Sequence, residues 1–201
     1  MLIYRVRNNE LSSRQLQEVT ERLDKGDIMI YPTDTLYAIG CDALNVKAVE
    51  KICRLQGIRP EKTNLSIICK DISQAAEYTR IDNKCFRLMR DNTPGPFTFI
   101  FRAGSNLPKT FKGRKEVGVR IPECPAPLQI VEELDRPLLT ASIHCEDEDY
   151  LINPELIAEA YEGRVDFMIL GEAGGVEPST IVNCIGASPE ITREGKGLLV
   201  E

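Results

Sequence analysis

Short apolar runs alternate with capped amphipathic segments along the chain, and this order of patterns constrains the fold more than any other feature. It predicts a helix that Ser12 or Ser13 caps and Gly26 ends, a strand over residues 27–31, and a helix from Asn45 to Gly57. Further strands are predicted in the segments LSIIC, NTPGPFTFIFR, VGVRIP, PLLTASI, DFMIL, STIVNC and EITRE, and further helices begin at Asp82, within 126–134 and at Asn153.

Helices and strands alternate early and strands cluster late, which favours helices packed on one mixed sheet. The chain has 201 residues and is 42% hydrophobic, which suits one globular domain, although two small ones would also fit the length. No internal repeat, low-complexity segment or linker divides it. The sequence therefore predicts a single α/β domain over residues 1–201, with a twisted, mixed and largely open sheet and flanking helices.

The charges of the chain are unevenly distributed. The formal net charge is −6, which argues against a general nucleic-acid coat or an anionic membrane surface as the partner. Residues 102–120 nevertheless hold six basic side chains against Glu116 alone, whereas residues 144–177 hold ten acidic side chains against Arg164 alone. The six basic residues are Arg102, Lys109, Lys112, Arg114, Lys115 and Arg120. Such a basic stripe can attract a polyphosphate locally.

The cysteine and histidine content excludes several kinds of site. Seven cysteines lie mostly in apolar runs and none forms a CxxC pair, which favours reduced, buried thiols and a cytoplasmic protein. His144 is the single histidine, so neither an ordinary zinc site nor a Ser-His-Asp triad is expected. We also expect no signal peptide and no membrane span, because no apolar run has the required length.

The stretch IMIYPTDTLYAIG, residues 28–40, breaks a buried strand with a polar turn. Pro32 is followed by the run Thr33-Asp34-Thr35, after which apolar residues return. One interpretation is a β-turn, because proline presets φ and threonine and aspartate bond locally. The other is a ligand site, because open α/β sheets bind ligands at the ends of their strands.

Polar side chains recur at the ends of other predicted strands. The set comprises Thr33, Thr35, Arg59, Thr98, Arg120, Thr140, Ser142, Ser179, Thr180 and Arg193. The guanidinium fork matches carboxylate and phosphate groups, so three arginines indicate an anion site, although neither a Walker A motif nor GxGxxG is present. Arg59 could instead be solvated, and Arg193 could pair with Glu190 or Glu194. Arg120 lies inside an apolar strand and needs either a core carboxylate or a ligand.

Five motifs, in order, resemble those of the YrdC-like family. They are YPTDTLYAIG, TPGPFTFIF, VGVRIP, PSTIVN and TREG, and the wording is most similar to the YciO-like branch. The resemblance implies a concave basic pocket on a twisted sheet. It also implies threonylcarbamoyl-adenylate synthesis from threonine, bicarbonate and ATP, with tRNA adenosine 37 as the eventual target and other tRNA-modification proteins as partners. Double-stranded RNA binding is a further property that the resemblance implies.

The resemblance also implies roles for particular residues. The threonine side of the pocket would be formed by Thr33, Thr35, Arg120, Ser142 and Ser179, and the nucleotide side by Arg59, Thr63, His144 and Arg193. Mg²⁺ would bridge the phosphates of ATP. No catalytic side chain is assigned, because positioning and charge neutralisation can carry the attack on the α-phosphate.

Three positions depart from the family pattern. Gly57 replaces a lysine, Ile68 replaces a polar residue, and His144 replaces an asparagine. The acidic run 146–149 also falls where a nucleotide pocket would not place carboxylates. The run is interpreted either as Mg²⁺ ligands or as a solvated loop. The sequence therefore leaves two classes of function open: an adenylate-forming enzyme, and a non-catalytic RNA- or nucleotide-binding protein on the same fold.

Overall fold

The structure is a computed structural model that describes residues 1–59, 65–112, 115–143 and 149–200. Within these residues lie ten strands: β1 (Leu2–Arg5), β2 (Met29–Tyr31), β3 (Ala38–Asp42), β4 (Leu65–Ile68), β5 (Phe97–Arg102), β6 (Glu116–Arg120), β7 (Leu138–Ser142), β8 (Phe167–Leu170), β9 (Thr180–Asn183) and β10 (Glu190–Arg193).

The same residues include α1 (Ser13–Asp24), α2 (Val46–Leu55), α3 (Ile72–Tyr78), α4 (Asn83–Asn92), α5 (Pro125–Leu134), α6 (Asp149–Ile152), α7 (Pro154–Ala160) and a 3₁₀ turn at Lys109–Lys112. None of the described helices is long and apolar enough to cross a bilayer.

Side-chain caps begin α1, α2, α4 and α7 at the predicted positions. Ser12 accepts the backbone N–H of Gln15, whose side chain accepts the Ser12 N–H in return. Asn45, Asp82 and Asn153 each accept backbone N–H groups of the first turn of their helices. These caps accept the backbone N–H groups of the first helical turn, which have no partner within the helix. Because a cap residue lies next to the turn that it satisfies, the helix starts could be predicted from the sequence.

The strands pair into one sheet in the order β1–β8–β2–β3–β7–β4–β6–β5–β9–β10. The pairs β1–β8, β2–β8, β4–β6 and β5–β9 are parallel, and the remaining five pairs are antiparallel. This mixed, open sheet with flanking helices confirms the fold class predicted from the sequence. Four of the strands and helices were not predicted: β1, β3, α3 and α6. Each is four to seven residues long, too short to show a clear periodicity.

Helices cover the two faces of the sheet unequally. One face packs against α2, α3, α4 and α7, and its core includes Ile67, Phe99 and Val119. The other face packs against α1 and α5 around Met29 and Phe167, and this smaller core takes its strand residues from β1, β2, β3, β4, β7 and β8. Within the described part of the chain, β5, β6, β9 and β10 therefore lack helix cover on that second face. We call this uncovered part of the sheet the open half.

One row of cross-strand neighbours shows the change from covered to open along the second face. The row runs Leu2, Phe167, Met29, Gly40, Thr140, Ser66, Gly118, Ile100, Asn183 and Glu190. Neighbours in such a row share one face of the sheet. Bulky apolar residues therefore lie under the helices, whereas hydroxyls and glycine follow where the helices stop, and the smaller side chains leave space above the sheet.

Candidate anion-binding site

A cavity of about 320 Å³ lies on the second face, where the cover of α5 ends. It is lined by Ile58, Leu65, Ser66, Thr98, Arg120, Thr140, Ala141, Ser142, Ser179, Ile181 and Arg193. The lining comes from β4, β5, β6, β7, β9 and β10, mostly from strand ends. This is the position at which open α/β sheets bind ligands. Of the nine residues predicted for the site the structure describes seven, and four of these line the cavity: Arg120, Ser142, Ser179 and Arg193.

Arg120 ends β6 and is 5% exposed. Its Nη2 donates to Asp34 Oδ1 at 2.6 Å and to Thr35 Oγ1 at 3.1 Å. The partner that a charge in this strand needs is therefore a carboxylate of the protein itself. The Nε–H of Arg120 is also buried, and no acceptor for it lies within the described residues. The guanidinium thus keeps bonding capacity that its internal partners do not use.

The polar turn at residues 33–35 was interpreted either as a β-turn or as a ligand site, and its contacts agree in part with each. Thr33 Oγ1 accepts the N–H of Thr35 at 3.1 Å and donates to the carbonyl of Leu36 at 2.7 Å, as a local turn requires. The side chains of Thr33 and Thr35 are 1% exposed and do not line the cavity. Thr35 reaches the cavity only through its contact with Arg120, so the turn supports the site from behind.

Asp34 is held by groups from two other segments. Its Oδ2 accepts the backbone N–H of Glu123 at 3.0 Å. Its carbonyl oxygen accepts from Lys196 Nζ at 2.7 Å, and the same ammonium donates to the carbonyl of Gly174 at 2.8 Å. The sequence analysis missed Lys196, because nothing in the run TREGKG indicates contacts with two distant carbonyls.

Ser179, Thr98 and Arg193 form the second polar group of the cavity. The Thr98 and Ser179 hydroxyls lie 2.8 Å apart. Arg193 Nη2 donates to the carbonyl of Ser179 at 2.7 Å and to its hydroxyl at 3.3 Å. Within the described residues the bonds of Arg193 go to Ser179, and neither Glu190 nor Glu194 forms an ion pair with it. The guanidinium charge is therefore not neutralised by a local carboxylate.

The electrostatics of the cavity favour an anion. Burial, and secondly the positive charge of Arg120, lower the pKa of the Arg193 guanidinium from its usual value. Two guanidinium groups thus act on one another across a small space, whereas Asp34 balances only one of them. An anion bound between them would relieve this repulsion and accept their remaining N–H groups.

Tyr31 marks the boundary between the covered part of the sheet and the cavity. Its hydroxyl donates to Thr140 Oγ1 at 2.8 Å, and burial raises its pKa above the usual range. The ring lies over Gly40, where a Cβ would approach the ring carbon Cε1 to 2.8 Å. A glycine is therefore needed at this point of close approach.

Several other predicted residues lie elsewhere. Arg59 is exposed and does not line the cavity, and Thr63 and His144 lie outside the described residues. Ile68 is fully buried in the core beneath α5. Gly57 has φ +63° and follows α2, whose end is closed by a bond from the Ile58 N–H to the Cys53 carbonyl at 2.8 Å. A lysine at position 57 would be strained in this conformation.

The basic stripe predicted at residues 102–120 does not form one surface. Arg120 lies at the cavity, whereas Arg102 and Lys115 lie at the other end of β5 and β6 and line a separate cavity of about 430 Å³ with Arg80. The two ends of β6, Glu116 and Arg120, are about 13 Å apart at 3.3 Å per residue. Arg114 and the side chain of Lys112 fall outside the described part of the chain.

The cysteines offer no activated nucleophile among the described residues. Cys41, Cys53, Cys69, Cys85, Cys124 and Cys184 are free and buried. Burial raises the pKa of Cys124, whose thiol donates to the carbonyl of Pro32, to about 12. A thiol of this kind stays protonated near neutral pH and does not act as a nucleophile or a metal ligand. The described residues also contain no group of three or more His, Cys, Asp or Glu that could hold a metal.

The model of the Sua5/YciO/YrdC family, described as "Telomere recombination", matches residues 21–195. This chain belongs to that family. The Escherichia coli protein YciO, described as uncharacterized, is 34% identical over 187 residues, which cover 92% of this chain and 90% of YciO. An uncharacterized Haemophilus influenzae protein is 35% identical over 189 residues, covering 92% and 91%. The resemblance drawn from the five motifs is thereby confirmed.

Solved structures of family members share the fold. The crystal structure of E. coli YciO superimposes with a TM-score of 0.90, at 33% identity, and covers 98% of this chain and 97% of YciO. The P. abyssi Sua5 complex with L-threonine superimposes with a TM-score of 0.85, at 22% identity, and covers 97% of this chain but 58% of Sua5. The core fold is thus shared by YciO and by a larger protein that binds an amino acid.

Proposed function

We propose that this chain is a nucleotidyltransferase that forms threonylcarbamoyl-AMP from threonine, bicarbonate and ATP. The observation that carries the proposal is the meeting of Arg120 and Arg193 in one cavity among hydroxyl groups. A P. abyssi relative binds L-threonine on the same fold, which supports an amino acid as one ligand. Two arginines can serve the two anionic parts of the reactants, the carboxylate and the phosphates.

The reaction requires little chemistry from the protein. The amine of threonine and bicarbonate first give N-carboxythreonine and water, and the carbamate oxygen then attacks the α-phosphorus of ATP. The bond between the α-phosphorus and the bridging oxygen breaks, and pyrophosphate leaves with the electron pair. The attacking oxygen is already anionic, so no general base is needed. Stabilising the charge that develops on pyrophosphate is the main task, and Arg193 is suited to it.

Mg²⁺ would enter with the nucleotide. The carboxylate of Asp34, beside the lining residue Arg120, already binds the Arg120 guanidinium and the Glu123 N–H. The described residues therefore fit a metal held by the phosphates better than one held by a protein cage. When bound, it would neutralise phosphate charge beside Arg193.

The product, threonylcarbamoyl-AMP, would be the substrate of a second reaction. An acyl adenylate is activated toward attack by an amine, so the threonylcarbamoyl group would pass to tRNA adenosine 37 through other tRNA-modification proteins. This chain would then supply the activated group to those partners rather than modify tRNA alone.

Pyrophosphate release tests the proposal. We expect release that requires ATP, Mg²⁺, threonine and bicarbonate together. Arg193→Ala should lower kcat/KM about 10- to 100-fold, as expected for a lost charged hydrogen bond of roughly 1.5–3 kcal/mol. Arg14→Ala, which removes an exposed arginine of α1, is the matched control and should leave the rate unchanged. If wild-type protein releases no pyrophosphate in a threonine-dependent manner, the enzymatic proposal fails.

RNA binding is a second candidate, and it rests on a different observation. Arg80, Arg102 and Lys115 line one cavity at the end of β5 opposite the anion site. The backbone there is fixed by bonds from the Arg80 N–H to the Arg102 carbonyl at 3.2 Å and from the Ala103 N–H to the Lys115 carbonyl at 2.9 Å. Three cations on a rigid base could bind the phosphate backbone of tRNA or duplex RNA.

Salt-dependent binding distinguishes this candidate. Wild-type protein should bind tRNA weakly, with log K falling linearly against log salt. Reversing Arg80, Arg102 and Lys115 to glutamate should reduce that slope. Reversing Arg5, Arg14 and Lys25 to glutamate changes the net charge equally and should have a smaller effect. Equal losses from the two triple variants would mean that only the net charge matters.

A further inference from the structure

A further cavity, of about 450 Å³, lies beside α4 and shares no lining residue with the anion-binding site. Three segments form its walls: α4, the turn between β9 and β10, and the C-terminal segment. The lining residues are Lys84, Arg87, Leu88, Arg90, Asp91, Ser188, Pro189 and Leu199. Small-molecule sites typically have volumes of about 300–1,000 Å³, so this space, which we call the α4 cavity, is large enough for one such ligand.

The floor of the α4 cavity is apolar. Leu88 of α4 and Leu199 of the C-terminal segment pack against the larger core and remain partly exposed, and Pro189 adds a third apolar side chain. Leu198 and Val200, on either side of Leu199, are exposed instead. The C-terminal segment thus directs one leucine into the cavity, where it can remove the apolar part of a ligand from water.

Hydrogen bonds connect the walls to one another. Asn92, at the end of α4, is buried, and its side-chain amide donates to the Val200 carbonyl at 2.7 Å and accepts the Val200 N–H at 2.8 Å. These two bonds hold the C-terminal segment beside the helix. Lys84 Nζ donates to Ser188 Oγ at 3.0 Å, which joins the helix to the β9–β10 turn. The cavity is therefore preformed, and a ligand would lose little affinity to ordering its walls.

The charges of the α4 cavity do not cancel. Arg90 donates to both carboxylate oxygens of Asp91, at 2.8 and 3.2 Å, so these two residues neutralise one another. Lys84 and Arg87 lie one helical turn apart, and neither forms an ion pair with a carboxylate of the described residues. Two uncompensated cations therefore flank the apolar floor of a protein whose net charge is −6.

We propose that the α4 cavity binds a small amphipathic anion, in which a carboxylate, sulfonate or phosphate group is joined to an aromatic or aliphatic body. The anionic group would bind Lys84 and Arg87, and the body would lie on the apolar floor. The inference does not depend on the proposed function, because no residue of the anion-binding site takes part in it.

Fluorescence titration with two dyes tests this proposal. Anilinonaphthalene sulfonate and the uncharged phenylnaphthylamine share one aromatic body and differ in the sulfonate group. Wild-type protein should bind one equivalent of the sulfonate, more tightly than the uncharged dye. Replacing Lys84 and Arg87 together by glutamine should weaken sulfonate binding about 10-fold, as two exposed charge contacts allow, and leave the uncharged dye unaffected. Leu199→Ala should weaken the binding of both dyes about 3- to 10-fold.

The matched control replaces Arg14 and Lys25 of the α1 region by glutamine, which removes the same charge away from the cavity and should change neither affinity. Equal losses from the two double variants would overturn the proposal, because only the net charge would then matter. Failure of the wild-type protein to bind the sulfonate would also overturn it. So would loss of the sulfonate in Arg193→Ala but not in the Lys84 and Arg87 variant, because the dye would then lie in the anion-binding site.

Thermal unfolding should show that each variant is folded. Lys84 and Arg87 are exposed, so their replacement should leave the melting temperature close to that of wild type. If Leu199→Ala melts early, the two charge variants still decide the outcome. Pyrophosphate release by the Lys84 and Arg87 variant should equal that of wild type, which separates a failure of this inference from a failure of the proposed function.

Discussion

Two parts of one row of the sheet lie in opposite environments, although the backbone pairing continues from one to the other. At one end, Phe167 and Met29 are fully buried under α1. Beyond Gly40 the neighbours become Thr140, Ser66 and Gly118, and a cavity replaces the helices. The candidate site is therefore not an addition to the fold. It is the part of a continuous sheet face that α1 and α5 are too short to cover.

The two regions also treat charge differently. Where the cover ends, Arg120 and Asp34 form an ion pair whose side chains are 6% and 7% exposed. Arg193, on the open edge of the same cavity, has no carboxylate partner within the described residues. A buried charge must be paired by the protein, whereas a charge at an open rim can be left for a ligand.

Truncating a large side chain in the covered part of the row and one in the open half should give the largest difference in unfolding free energy. Phe167→Ala should lower the free energy of unfolding by about 3–5 kcal/mol, because it empties a packed core. Ile100→Ala is the matched change at the open end, where the side chain is only partly buried, and should cost about 1 kcal/mol. Urea denaturation measures both. Equal losses would contradict the contrast between a covered and an open half.

Breaking the buried ion pair should have the next largest effect. Asp34→Ala leaves the buried Arg120 guanidinium without its carboxylate and should cost about 3 kcal/mol. Replacing both residues, as Asp34→Ala with Arg120→Met, should be less destabilising than the single change, since no unpaired charge remains.

Glu18→Ala is the control for this pair, because it removes the carboxylate of an exposed ion pair, Arg14–Glu18 at 2.9 Å. Its urea midpoint should stay close to that of wild type. If Asp34→Ala lowers the urea midpoint no more than Glu18→Ala does, burial does not make the Asp34–Arg120 pair more important for stability than an exposed pair.

The pH dependence of stability above pH 10 should show the smallest effect. It tests whether Tyr31, at the boundary between the covered part of the sheet and the cavity, is shielded from water. Burial raises the pKa of Tyr31 above its unfolded value of about 10, so the folded state keeps a proton that the unfolded state loses. Stability from this group is therefore complete below pH 10 and is lost as pH rises above 10. Tyr31→Phe should flatten that loss by up to about 1.4 kcal/mol per pH unit, measured by urea denaturation. If the slope of the unfolding free energy against pH is unchanged in Tyr31→Phe, the Tyr31 hydroxyl is accessible to water in the folded protein.

Much of the fold could be predicted because its signals are local. Ser12, Asn45, Asp82 and Asn153 were identified as caps, since a cap needs only a side chain two or three residues from the N–H that it satisfies. The site was predictable in part for another reason. Hydroxyls and arginines at strand ends stand out against apolar strands, which indicated Arg120, Ser142, Ser179 and Arg193.

The rest of the site could not be predicted from neighbours in sequence. Lys196 contacts Asp34 and Gly174 across 162 and 22 residues, and no local pattern encodes such contacts. Ser66 was overlooked because one serine in an apolar strand fits several environments. The basic stripe does not form one surface, because the extended length of β6 separates Arg120 at its end from Lys115 just before its start.

Residues close together in sequence specify most of the secondary elements, the alternation that leads to a mixed sheet, and the family, because caps, periodicities and motifs act within a few residues. The tertiary structure alone decided which face of each strand α1 and α5 cover and where that cover stops. It also decided that Asp34 neutralises Arg120 while Arg193 stays available. The physical reason is that cavities, ion pairs and free hydroxyls depend on distances between strands, and those distances are set by packing and register rather than by the order of residues.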